Sequence, residues 1–162
     1  MRRMLSLAAV LILLLSTLCA CTPTQDYFDA FRGSFEADVA GEWNGQGFGA
    51  VFLVSALEEG SIRPLTITFY APESLCGTVL SRGEDGSVEL TVGNVTVDAP
   101  DGLMSLFELF PTGGEVQEVS LSEGGSTVVK GEDFVLTFAS DGTPTAVSRG
   151  ENSVTVLRFS RK

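Results

Sequence analysis

Apolar and polar residues alternate with a period of two along most of this chain, and the period breaks in two places. Phe35, Ala37, Val39 and Trp43 alternate with Glu36, Asp38 and Glu42, which predicts a strand with one apolar and one wet face. Asn44-Gly45-Gln46-Gly47 is hairpin chemistry, and the return strand runs from Phe48 to Leu57 with Phe52 inside it. Leu65, Ile67 and Phe69 form a third strand, stopped by Ala71-Pro72. A fourth is expected over 75–82, a fifth at Val88, Leu90 and Val92, and a short sixth over 95–97. The first break precedes these strands: Tyr27, Phe28 and Phe31 predict a short amphipathic helix ended by Gly33. The second follows them. Asp98-Ala99-Pro100-Asp101 reads as a helix start, and Leu103, Leu106, Phe107 and Phe110 follow at i, i+3, i+4 and i+7 until Pro111.

After Gly113-Gly114 the strand period returns in five segments, over 116–122, 126–130, 134–139, 143–149 and 153–159. Phe134, Leu136 and Phe138 share one face there. Two hairpins share wording, Ser81-Arg82-Gly83-Glu84 before Ser87-Val88 and Ser148-Arg149-Gly150-Glu151 before Ser153-Val154. Shared turn chemistry explains most of that likeness. Tight turns force neighbouring strands to pair antiparallel, so the expected fold is mostly β, of α+β class: a long meander of about eleven strands. Such a sheet curls to bury its apolar face, giving a half-barrel with an N-terminal helix and a mid-chain helix in the concavity. Gly45, Gly47 and Gly49 echo a nucleotide-binding loop, but they join two strands rather than a strand and a helix.

The first 21 residues predict a location. Arg2 and Arg3 precede an apolar run, Leu5 to Leu18, which is shorter than the ~20 residues needed to span a bilayer. Leu18-Cys19-Ala20-Cys21 closes it in the manner of a bacterial lipobox, so residues 1–20 are expected to be a cleaved signal and Cys21 a lipidated N-terminus. Residues 21–25 would then be a tether and 26–162 one domain anchored to the membrane in the cell envelope.

Charge and composition narrow the function. The chain of 162 residues carries ten basic and 21 acidic residues, a formal charge of −11 that becomes −13 when the two arginines of residues 1–20 leave. An acidic body repels phosphate backbones and anionic headgroups, which argues against nucleic acid. There is no histidine, so the lone cysteine of the mature domain, Cys76, lacks the usual base and is expected to be a small buried hydrophobe. The acidic pairs Glu58-Glu59 and Glu132-Asp133 fall at turns, where solvated charge is the default. No motif for a metal or cofactor appears, and the chain is not expected to be an enzyme.

The order of these elements resembles the LolA/LolB-like half-barrels, which carry lipoproteins or lipids through the bacterial envelope and include lipid-binding mycobacterial lipoproteins. The resemblance covers residues 24–162, through the Phe28–Phe31 helix, the Phe35–Trp43 and Pro64–Pro72 strands, and the Leu103–Phe110 helix before the last five strands. It implies a hydrophobic cavity for a lipid or acyl chain. Its walls would be Phe35, Val39 and Trp43 of the first strand, Phe52 of the second, Leu65, Ile67 and Phe69 of the third, and Leu90 of the fifth. Leu106, Phe107 and Phe110 of the mid-chain helix would cover them, with Leu136 and Phe138 on the far side. The alternative is that these residues fill a closed core, leaving a protein-interaction or sensory scaffold with no ligand. The family's outer-membrane receptor has a protruding apolar loop, whereas the loops here, Glu58-Glu59-Gly60 and Glu84-Asp85-Gly86, are acidic.

Overall fold

Strand β1 (Phe35–Trp43) buries Phe35, Ala37 and Val39 and leaves the residues between them half-exposed, as its alternation requires. Asn44 and Gly45 then both take left-handed conformations, with φ of 49° and 72°, the geometry of a two-residue hairpin matched to strand twist. That turn leads into β2 (Gln46–Val54), followed by β3 (Leu65–Ala71), β4 (Val79–Arg82), β5 (Val88–Val92) and β6 (Val95–Asp98). Each pairs antiparallel with the one before it. These elements come from a computed structural model that describes residues 25–122 and 124–162. A second antiparallel run comprises β7 (Val116–Leu121), β8 (Thr127–Gly131), β9 (Phe134–Phe138), β10 (Pro144–Arg149) and β11 (Asn152–Arg161).

The two runs are not one meander. Strand β11 returns to pair with β1, so the curved eleven-stranded sheet has the order β6-β5-β4-β3-β2-β1-β11-β10-β9-β8-β7. The first and last strands meet in the middle, and β6 and β7, adjacent in sequence, form opposite edges. Turn residues dictate local hairpins, but this pairing closes a loop of more than a hundred residues, beyond the reach of any turn.

The mid-chain segment is also of another kind than the spacing predicts. Asp101–Glu108 is a 3₁₀ helix, not an α-helix. With three residues per turn, positions i and i+3 eclipse, so Leu103, Leu106 and Leu109 make one ridge and Met104, Phe107 and Phe110 the next. Leu106, Phe107, Leu109 and Phe110 are all buried. Leu109 is absent from the α-helical reading because it falls off that face. At the N-terminus the helix α1 is only Asp29–Arg32, with Ala30 and Phe31 buried, and the Gly33 that ends it is extended (φ −74°, ψ 178°) rather than left-handed.

Strand β4 starts later than expected, because residues 73–75 form a 3₁₀ turn and Gly77 is left-handed, with φ of 80°. This corner carries Cys76 outward. Its thiol is exposed, which corrects the expectation of a buried residue. In the Cys21→Ser form, Cys76 is therefore expected to react with a thiol reagent without unfolding. Cys76→Ala should change stability by no more than about 0.5 kcal/mol. Protection of Cys76 in peptide mass mapping would contradict this.

One face of the sheet carries the core. Phe110 lies 5.2 Å from Phe35, 5.3 Å from Phe52 and 5.5 Å from Phe31, ring centre to ring centre. Its segment is thus seated on the buried face of β1 and β2, with α1 beside it. No helix among the described residues is long and apolar enough to cross a membrane.

Candidate functional site: an arginine-rimmed apolar groove

The β2–β3 connection, the end of β4 and the end of β10 each bring an arginine to one groove beside the mid-chain segment. Arg63 closes the β2–β3 connection and is only 7% exposed. Its Nε donates to the Ser55 carbonyl at 2.5 Å and its Nη2 to the Gly33 carbonyl at 2.7 Å, which ties the connection to the end of α1. Its guanidinium sits 5.3 Å from the centre of the Phe35 ring. Carbonyls orient this cation but do not neutralise it, and no carboxylate among the described residues pairs with it. Burial, with the nearby charge of Arg82, pushes its pKa down to about 10.

Arg82 donates from Nε to the Arg63 carbonyl at 3.0 Å and lies over the Phe107 ring at 5.0 Å, a cation–π arrangement. Burial lowers its pKa as well, and the carboxylate of Glu108 opposes that shift. Arg149 bonds from Nε to the Asp133 carboxylate at 2.8 Å and from Nη1 to the Glu108 carbonyl at 2.7 Å. It thereby fastens the mid-chain segment to β10, on the opposite wing of the sheet from Arg82.

Between them is a space of about 360 Å³, walled by Val54, Leu57, Ile62, Leu65, Phe107 and Phe110, with Glu108 and Thr112 at its edge. Leu57 and Ile62 are 43% and 45% exposed, so an apolar wall faces solvent under a cationic rim. A larger hollow of about 410 Å³ lies between residues 25–30 and the β9–β10 turn, but Asp26, Asp29 and Asp141 line it, and its Arg161 is already bonded to Asp29.

The residues the sequence reading nominates occupy one cluster. Phe35, Val39, Phe52, Leu65, Ile67, Phe69, Leu106, Phe107, Phe110, Leu136 and Phe138 are buried together, while Trp43 and Leu90 are partly buried against them. Trp43 Nε1 donates to Ser105 Oγ at 3.0 Å, a second tie between β1 and the mid-chain segment. Leu65, Phe107 and Phe110 line the arginine groove, and Phe138 lines the acidic hollow. Cys21 and residues 1–20, the expected signal, lie outside the described residues.

Arg63, Leu57 and Ile62 are not visible as site residues in the sequence: Leu57 reads as the end of the return strand, and the connection after it as an ordinary loop. Arg82 and Arg149 have a trace there: they occupy the same place in the two hairpins of shared wording, and both line this groove.

No family model matches the chain, and no curated protein sequence matches it. Among solved structures it is similar to an uncharacterized conserved protein from Thermus thermophilus, at 15% identity over 82% of this chain and 81% of that one, with a TM-score of 0.50. It is also similar to MucB, at 14% identity over 83% of this chain and 56% of that one, with a TM-score of 0.49. For MucB in complex with MucA(peri) the identity is 13%, the shares 83% and 52%, and the TM-score 0.44. The chain thus spans about half the length of MucB. What the likeness to the Thermus protein shows is the fold of the curved sheet.

Proposed function

We propose that the protein is an envelope lipoprotein of LolA/LolB-like half-barrel form that binds an apolar ligand, such as a lipid or acyl chain, and catalyses nothing. In this reading Cys21 holds it to the membrane, and the mid-chain segment occupies the concavity of the sheet. The observation that carries it is the groove at the edge of that segment. Its apolar wall is open to solvent at Leu57 and Ile62, beside the buried Phe107 and a packed core, and concave apolar walls with a few polar groups are the usual form of a ligand site.

The closed-core scaffold is the second reading. It draws on the contacts among Phe31, Phe35, Phe52 and Phe110, which fill the space beneath the segment. One experiment separates the two. The Cys21→Ser form should leave the membrane fraction, lack the mass of a diacylglycerol, and in native mass spectrometry carry a co-purified lipid. Membrane retention with unchanged mass would remove the tether. A ligand-free protein that takes up no fluorescent fatty acid would favour the scaffold.

A further inference from the structure

Ten basic residues stand against 21 acidic ones, so a cation in this chain rarely lacks an acidic neighbour. Eight of the ten lie among the described residues, and six of those are paired: Arg32, Lys130, Arg149, Arg158, Arg161 and Lys162 each meet a carboxylate. The two without one, Arg63 and Arg82, share a single groove, and Arg149 joins them there. A buried charge ordinarily has an ionic partner, because desolvation costs more than hydrogen bonds to neutral groups return.

A structural role accounts for only part of this. Arg63 uses Nε and Nη2 on carbonyls and Arg82 uses Nε, which leaves the other guanidinium nitrogens without a protein partner among the described residues. Glu108, also at the groove, offsets some of the positive charge but bonds to none of the three guanidiniums through its carboxylate. The wall below the cations is apolar and solvent-facing at Leu57 and Ile62. A bare anion would leave that wall wet, and a neutral chain would leave Arg63 and Arg82 without a counter-charge.

We infer that this groove takes an anionic amphiphile, its carboxylate or phosphate held by Arg82 and Arg149 in front of Arg63, its chain lying on Leu57, Ile62 and Phe107. Arg82 keeps Nη1 and Nη2 as a free guanidinium fork, which suits either oxyanion's parallel acceptor oxygens, while Arg149, engaged through Nε and Nη1, adds Nη2 alone. The inference rests on the apolar-ligand reading above and adds the charge of the ligand to it.

The test is calorimetric titration of the full Cys21→Ser chain with dodecyl phosphate, dodecanoate, dodecanol, inorganic phosphate and a glutamate octapeptide, the amphiphiles below their micelle concentrations. Dodecyl phosphate and dodecanoate are each expected to bind about 10-fold or more tighter than dodecanol, as hydrogen bonds to charged groups imply. In Arg82→Gln and Arg149→Gln that ratio should fall toward one, and Arg82→Lys, which keeps the charge but not the fork, should restore part of it. Melting curves of the variants show that they fold, and Arg63, tied into the backbone, is left intact.

Equal binding of dodecanol and the anionic probes would overturn this inference and leave the apolar-ligand reading standing. No binding of any dodecyl probe would sink both. Inorganic phosphate binding as tightly as dodecyl phosphate would make the groove a plain anion site, and the octapeptide binding as tightly would make it a peptide site. Either result overturns the amphiphile.

Discussion

Gly41→Ala is expected to lower the melting temperature by about 10 °C. Gly41 is where β1 passes closest to β11. It pairs with Val154, and a Cβ there would stand 2.0 Å from the Ser153 carbonyl oxygen and 2.6 Å from the Val154 Cα. Both are backbone atoms, so no rotamer change relieves the clash; the strands must part. The pairing they would loosen runs from Phe35 opposite Arg161 to Glu42 opposite Ser153, and it joins the two halves of the sheet. Overpacking in cores costs about 1–3 kcal/mol, and a rigid neighbour pushes the cost to the upper end or beyond. Gly47→Ala is the control, because its Cβ would meet nothing nearer than 3.9 Å although it lies in the same hairpin. Thermal melts of the two variants check this. Equal melting temperatures would mean that β1 and β11 give way easily.

How much of this was legible depends on the range over which each feature is encoded. The alternation in Phe35–Val39 and Leu65–Phe69, and the Asn44-Gly45 turn, act within a few residues, and the corresponding strands and hairpin are present. Strand order is another matter. Pairing of β1 with β11 depends on residues more than a hundred positions apart, and its one local trace is Gly41, which interrupts an otherwise β-compatible strand for no local reason. The mid-chain segment was legible as helical but not as 3₁₀, because Leu103, Leu106, Phe107 and Phe110 satisfy both periods; Leu109 decides, and only its burial reveals it. Cys76 misled because it falls in the segment expected as the fourth strand, whereas that strand starts only at Val79 and the preceding corner carries Cys76 outward. The groove was illegible for a reason of chemistry. An unpaired arginine is defined by the acids that are not beside it in space, and sequence spacing does not report that.

Phe110→Ala should cost about 3–5 kcal/mol, the range for truncating a buried phenylalanine. As a cover over a ligand cavity, hinged at Gly102 and Gly113-Gly114, the segment would lose binding rather than folding with this residue. Its surroundings argue otherwise. The ring is 6% exposed and stands between Phe31 of α1, Phe35 of β1 and Phe52 of β2, edge-on to the last two at 5.2 Å and 5.3 Å. Phe35 and Phe52 belong to the centre of the sheet and cannot close over a missing ring, so the vacated space persists as a cavity. The same ring seats the residue 99–115 connection that carries the chain from the edge strand β6 to the edge strand β7. Its loss should therefore loosen both. Met104→Ala, on the same ridge but 39% exposed, is expected to change stability by less than about 1 kcal/mol. Denaturant unfolding of both variants measures the contrast. A Phe110→Ala protein as stable as wild type, but with altered uptake of a fluorescent fatty acid, would instead make the segment a movable cover over a ligand.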